Sequence, residues 1–158
     1  MYRTGIGYDS HRFTSGRKLI LGGIEIPFDK GLGGHSDADV LCHSIMDAIL
    51  GAAGLGDIGQ HFPDTNEKWK DASSVEMLTR VVTLTRGKGF EIEWIDASIL
   101  AEKPLLDPYS EKMKGSISAS GIPAEKIHLK ATTNEKMGFI GRGEGIAVMS
   151  VCTISKKP

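Results

Sequence analysis

Between Asp39 and Ala53 the apolar residues Leu41, Ile45, Ala48, Ile49 and Ala52 recur at helical spacing, and Gly54 and Gly56 follow at once. Such a stripe requires a helix with one buried face, stopped by glycine. The segments around it follow a different period. Residues 2–8 and 18–28 read as strands, and in the second the runs RKLIL and IEIPF fold back at Gly22 and Gly23 as a hairpin. Residues 90–101 alternate and are β-branched, which makes a long strand, and KIHLKAT (126–132) and GIAVMSVCTI (145–154) supply the closing strands. A second helix runs from about Ser73, where SSVE resembles a capping box, to Arg86 with Gly87 beyond it; a third starts after Pro108 and ends near Gly121. Residues 56–72 show no period and read as a polar loop of a length that often carries function. Strands interleaved with helices, plus one hairpin, predict an α/β (α+β) sandwich in which a mixed sheet is covered on one face by helices.

The 158 residues suit one domain spanning 1–158. With 40% apolar and 25% charged residues and a net charge of -1, the chain has no basic field that would point to nucleic acid. Cys42 and Cys152 lie far apart without CxxC spacing, so neither a disulfide framework nor a cysteine zinc site is indicated, and reduced thiols fit a cytoplasmic protein. The apolar runs fall short of the roughly 20 residues that a membrane helix needs, and MYRTGIGYD has no signal-peptide core. The 20 glycines imply tight turns and places where backbone approaches something closely.

Three motifs bear chemistry. In GYDSHR, Asp9 and His11 share one face of a strand while Tyr8 and Ser10 point away. His43 falls on the stripe Asp39, His43, Asp47, on the side of the helix away from Leu41, Ile45 and Ile49. One carboxylate and two imidazoles form a mixed oxygen and nitrogen set that suits zinc with a position left open, and Asp47, one turn on, is placed to orient the His43 ring. Periodicity alone leaves the bland reading open, since DxH on an edge strand and a lone helix histidine are both common, and Cys42 reads as a small core residue. In GGHSDAD, Ser36 reads as the N-cap and Asp39 as its capping-box partner, with free N–H groups that attract an anion; His35 is either a ligand contact or a loop residue. In KATTNEKMGFIGRGEG, the hydroxyls of Thr132 and Thr133, the Glu135 carboxylate and the Arg142 guanidinium suit phosphates and a hard cation, as an ordinary solvated turn also would. There is no GxxxxGK[ST] loop, and TGIGYDS has Ser10 where a dinucleotide fingerprint needs glycine.

Taken in order, GIGYDSH, LGGIEIP, GGHSDADVLCHSIMDAILGAAGLGDIGQHFPDT, AEKP and KATTNEKMGFIGRGEGIA resemble the 2-C-methyl-D-erythritol 2,4-cyclodiphosphate synthase family of the non-mevalonate isoprenoid pathway, nearly end to end. The resemblance implies a homotrimer with active sites between subunits, and a phosphorus-oxygen lyase that turns 4-diphosphocytidyl-2-C-methyl-D-erythritol 2-phosphate into the cyclic diphosphate plus CMP. Each site would be built on a zinc ion and a second divalent cation, Mg²⁺ or Mn²⁺. It matches Asp9, His11 and His43 to zinc ligands, Glu135 to the second metal, and His35 and Ser36 to substrate phosphate. The same resemblance implies catalytic roles for His35, Thr133 and Glu135. Asp57, Gly59, Phe62, Pro63 and Asp64 match the part that holds the methylerythritol phosphate. Ala101, Ala131, Thr132 and Thr133 match the cytidine diphosphate half, contributed by the neighbouring subunit, and Phe139 and Arg142 match further substrate contacts. Tyr8, Arg142 and Glu144 fall near the trimer axis, where some members bind an isoprenoid diphosphate. The chain departs from the family at Ala38, which replaces a commoner glycine, at WKDASS, and at Leu105, where lysine is frequent; Lys103 stands just before the proline instead.

Two other classes share parts of this pattern. A non-haem Fe(II) oxygenase also uses two histidines and a carboxylate but needs a redox cosubstrate site, and a non-catalytic trimer that binds nucleotide or metal needs the ligands without the chemistry.

Overall fold

The computed structural model describes residues 1–156. Its opening strand, β1 (Tyr2–Thr14), continues well past the expected end at residue 8. The reason is its antiparallel ladder with the last strand, β7 (Gly145–Lys156), which runs from Tyr2 opposite Ser155 to Arg12 opposite Gly145. Backbone pairing therefore holds the polar stretch Asp9–Arg12 extended, although its side chains would not ask for a strand. The hairpin forms as expected from shorter pieces, β2 (Leu19–Leu21) and β3 (Ile24–Ile26), with Gly22 and Gly23 both at positive φ in its turn.

The main sheet adds β4 (Gly31–Leu32), β5 (Phe90–Leu100) and β6 (Ile127–Thr132) in the order β4-β1-β7-β5-β6. Only β5 and β6 pair in parallel, so the sheet is mixed, as expected. In β5 the register slips between Ile92 and Trp94. Burial shifts with it, from Phe90 and Ile92 to Ile95, Ala97 and Ile99, so the bulge returns the apolar side chains to the covered face. Lys126 Nζ and Ser155 Oγ hold Glu93 at the slip, at 2.9 and 2.5 Å.

Helix α1 (Val40–Ala53) lies across β1 and β7, and α3 (Ser74–Gly87) packs beside it; α4 (Ser110–Ser118) rests against β6. The close seat of α1 depends on two missing side chains. A Cβ at Gly7 would sit 1.9 Å from Ser44 O, and one at Gly5 2.2 Å from Ala48 O. The opposite face of the sheet carries Tyr2, Ile6, Tyr8, Trp94, Met149 and Val151, all exposed.

The start of α1 corrects the capping assignment. Asp39, and not Ser36, is the N-cap: its fully buried carboxylate accepts from Cys42 N at 3.1 Å and from Gly22 N and Gly23 N at 3.0 and 2.7 Å, which ties the hairpin turn to the helix. Ala38, at φ 57°, turns the chain immediately before it and delays helical geometry to Val40. Residues 56–72 are not loop throughout. Asp57 caps a short helix, α2 (Ile58–His61), through Gln60 N at 3.0 Å, and Asn66 caps a 3-10 turn at Glu67–Trp69. Both are too short to display a period. Among the described residues no helix is long and apolar enough to cross a membrane.

Candidate functional site

On β1 the residues Gly5, Gly7, Asp9 and His11 alternate onto the face that α1 covers, and the glycines let His43, in the first turns of α1, come down beside the two polar side chains. Asp9 Oδ2 lies 2.9 Å from His11 Nε2 and 3.1 Å from His43 Nδ1, and the two imidazole nitrogens are 3.3 Å apart. The side chains are partly buried, at 28%, 17% and 12% exposure for Asp9, His11 and His43, so the cluster is sheltered yet reachable. His11 Nδ1 stands 2.6 Å from Gly33 O and donates to it, which leaves Nε2 as the free acceptor.

These atoms suit a cation. Two ring nitrogens and a carboxylate oxygen converge, each ring's other nitrogen is engaged in a hydrogen bond, and the ligand atoms all lie within 4.8 Å of one another. Burial pushes the Asp9 carboxyl up, but hydrogen bonds and charge from His11 and His43 outweigh it and hold the group below the usual carboxylate range. Burial also lowers the His11 imidazole, yet the Asp9 carboxylate prevails and holds it above the ordinary value. Positive charge is favoured at this point, whether a proton or a metal supplies it.

The ring of His43 is oriented by residues other than the one expected. Asp47 Oδ1 accepts from Ile58 N at 2.7 Å, fastening α2 to α1, and has no hydrogen bond to His43. His43 Nε2 instead faces two hydroxyls, Ser74 Oγ at 3.0 Å and Ser36 Oγ at 3.1 Å. Ser74 Oγ donates in turn to Asp37 Oδ1, and the other oxygen of that carboxylate, Oδ2, accepts from the Ser74 N–H at 2.9 Å.

The cluster opens into a cavity of about 570 Å³. His35, Ser36, Gly59, Phe62, Pro63 and Asp64 all line it, while Asp57 stays outside as the cap of α2. Trp69 completes the wall, edge-on to Phe62 with centroids 4.8 Å apart. Arg17 donates to the carbonyls of Gly34 and Ser36, both at 2.6 Å, and so braces the turn that carries His35; His35 Nε2 is 3.1 Å from Asn66 O.

The remaining candidates lie apart from this cavity. Ala101, Ala131, Thr132 and Thr133 line a second one of about 200 Å³, shared with the exposed Leu105. Glu135 is exposed at φ 49°, in a turn whose Asn134 and Lys136 N–H groups are held by Glu102 Oε1 at 2.9 and 3.1 Å. Phe139 and Glu144 border a third space, of about 310 Å³, that reaches His11, and Arg142 pairs with Glu144 at 2.6 Å. Among the described residues of one chain, then, the Asp9, His11 and His43 cluster and the Thr133–Glu135 segment share none of these three cavities. Sequence reasoning passed over Ser74, Asp37, Trp69 and Arg17, whose approach to the site is tertiary and left no local signal.

Against this geometry the chain matches the YgbB family over residues 2–155. It is 55% identical over 157 residues to the 2-C-methyl-D-erythritol 2,4-cyclodiphosphate synthase of Methylobacillus flagellatus, covering 99% of this chain and 98% of that one. It is 54% identical to the same enzyme of Clostridium acetobutylicum, covering 96% and 99%. Among solved structures, it superposes with a TM-score of 0.95 and 45% identity on the bifunctional IspDF of Campylobacter jejuni, covering 99% of this chain and 43% of that longer one. The Plasmodium falciparum IspF CDP complex matches at a TM-score of 0.86 and 31% identity, covering 99% and 97%.

Proposed function

Because the chain belongs to the YgbB family, and its curated relatives are 2-C-methyl-D-erythritol 2,4-cyclodiphosphate synthases, we propose that it closes this cyclic diphosphate and releases CMP. The observation that carries the reading is the convergence of Asp9, His11 and His43 at the mouth of a cavity whose rim holds His35 and Ser36. The substrate would be 4-diphosphocytidyl-2-C-methyl-D-erythritol 2-phosphate. An oxygen of its 2-phosphate attacks the β-phosphorus, the bond from that phosphorus to the bridging oxygen breaks, and CMP leaves with the electron pair. The overall change is that of a phosphorus-oxygen lyase.

Since the nucleophile is already an anion, alignment and charge neutralisation do most of the work. Asp9, His11 and His43 would hold zinc, which when bound supplies Lewis-acid polarisation of a phosphate oxygen. His35 and the Ser36 hydroxyl would hold phosphate oxygens beside it. Gly59, Phe62, Pro63 and Asp64 shape the space for the methylerythritol phosphate, with Asp57 fixing α2 behind them. Ala101, Ala131, Thr132 and Thr133 would serve the cytidine diphosphate half, Phe139 and Arg142 would add further substrate contacts, and Glu135 would hold Mg²⁺ or Mn²⁺ against the diphosphate.

That division of labour needs a second copy of the chain, because the two groups of residues occupy separate cavities in one. The exposed apolar face bearing Ile6, Tyr8, Met149 and Val151 supports self-association, and a homotrimer would bring one copy's Thr133 and Glu135 to its neighbour's triad. Tyr8, Arg142 and Glu144 would then surround the axis, the place for an isoprenoid diphosphate. The chain reads as one synthase domain over 1–158, acting in the cytoplasm on a soluble nucleotide.

The direct test is incubation with the cytidine diphosphate substrate and a divalent cation. Release of CMP together with the cyclic diphosphate is the expected result. Zinc-loaded protein that yields neither would overturn the assignment. Stoichiometric iron with oxygen consumption would favour an oxygenase instead.

A further inference from the structure

A metal ligand histidine must present a lone pair on one nitrogen and keep its proton on the other. For His11 the Gly33 carbonyl secures this. For His43 the choice lies between two hydroxyls at nearly equal distance, Ser74 Oγ at 3.0 Å and Ser36 Oγ at 3.1 Å from Nε2. They are not equivalent. A serine hydroxyl has one proton, and that of Ser74 is committed to Asp37 Oδ1, so toward His43 its oxygen acts as an acceptor. Ser74 is fully buried, and the Asp37 carboxylate holds it twice, through the hydroxyl and through the backbone N–H at 2.9 Å. The Ser36 oxygen accepts from Ala38 N at 3.3 Å, which leaves its own proton uncommitted at the cavity wall.

We propose that Ser74, held by Asp37, is a positioning residue that keeps the His43 proton on Nε2. It thereby turns Nδ1 toward a divalent cation and leaves the Ser36 hydroxyl free to donate to a phosphate oxygen. The relay Asp37, Ser74, His43 also carries negative charge toward the ring and makes Nδ1 a stronger ligand. The inference rests on the metal reading of Asp9, His11 and His43. Ser74 and Asp37 stand outside the cavity lining, Asp37 Oδ1 also accepts from Asp39 N at 3.2 Å, and their route to a bound cation runs through His43.

The merely structural alternative is that Asp37 pins the start of α3 through Ser74. The variant Ser74→Ala separates the two, since it keeps the backbone N–H that Asp37 Oδ2 accepts and removes only the hydroxyl. Zinc affinity, measured by competition with a chromophoric chelator, should weaken by about 10- to 100-fold in Ser74→Ala, the range found when such outer partners are lost. Ser74→Thr should restore it, and Ser36→Ala should leave it near wild type. In 15N-labelled, zinc-loaded protein the His43 Nε2 proton should exchange slowly with water in wild type and quickly in Ser74→Ala. If Ser74→Ala fails to fold, Asp37→Asn carries the test and should weaken zinc in the same direction. Wild-type zinc affinity in the folded hydroxyl and carboxylate variants, or a loss confined to Ser36→Ala, would overturn the proposal. A wild-type protein that binds no zinc at all would instead remove the metal reading beneath it.

Discussion

His43 Nδ1 and Asp9 Oδ2 lie 3.1 Å apart although 34 positions separate them, and the contact joins the first turns of α1 to the strand β1 beneath it. Neither residue is placed by its neighbours in sequence. The seat of the helix on the strand puts them together, so perturbing that seat and perturbing the ligands should have different signatures.

Replacing a ligand should abolish chemistry with the fold intact. His43→Ala is expected to lose bound zinc and to slow CMP release by on the order of 100-fold or more, as removal of several kcal/mol of Lewis-acid stabilisation implies. Metal content and CMP release on the same preparation check it, with circular dichroism as the control for folding. A folded variant releasing CMP at the wild-type rate would refute the role.

Gly7→Ala should do the reverse and damage the fold first. The new Cβ would fall 1.9 Å from the Ser44 carbonyl, which is backbone and cannot swing aside. Forced overpacking of this kind costs about 1–3 kcal/mol. Denaturant unfolding should record the loss, and the zinc affinity of whatever remains folded should fall as His43 is pushed from Asp9.

The metal-free protein should draw pH-dependent stability from Asp9 and His11. The Asp9 carboxyl is held below its ordinary value of 3.8, so its contribution is present above that pH and lost as pH falls through the folded value. The His11 imidazole is held above 6.5, so its contribution is present below that pH and lost as pH rises through the folded value. Both act together between these limits. Asp9→Asn should therefore lower the apoprotein Tm more at pH 5.5 than at pH 8.5, and equal losses at the two would show that the pair is not coupled.

The exposed sheet face yields a prediction about assembly. Ile6 is 64% exposed in the single chain, where changes at such sites shift stability by only about 0.5 kcal/mol. Ile6→Glu should leave the chain folded yet reduce the mass seen by light scattering from three copies to one, and CMP release should fall with it. A wild-type protein that scatters as a single copy would remove the homotrimer.

Much of the site was legible because its ligands obey simple periods. Asp9 and His11 are two apart on a strand, and His43 lies on the polar stripe of a strongly patterned helix. What failed was assignment among neighbours of like chemistry. Ser36 and Asp39 can both cap a helix, and only the positive φ of Ala38 shifts the start so that Asp39 does so. Asp47 lies on the stripe of His43, but Ile58 N takes its carboxylate, a contact that depends on where the chain goes after Gly54. Ser74, 31 positions from His43, had no local signature because its partner is reached only when α3 docks on α1. The bulge at Glu93 was hidden for a related reason: the segment still alternates on either side of it, and only pairing with β7 reveals the slip.

Gly5 and Gly7 bear no reactive side-chain atom and line none of the three cavities described above, yet the width of the gap between β1 and α1 is recorded there as two absent carbons. In a saturation screen scored on product alone, both positions would look as intolerant as the ligands themselves. The screen would mistake a spacer for a catalyst, and the two kinds of intolerance would separate only when stability was scored as well.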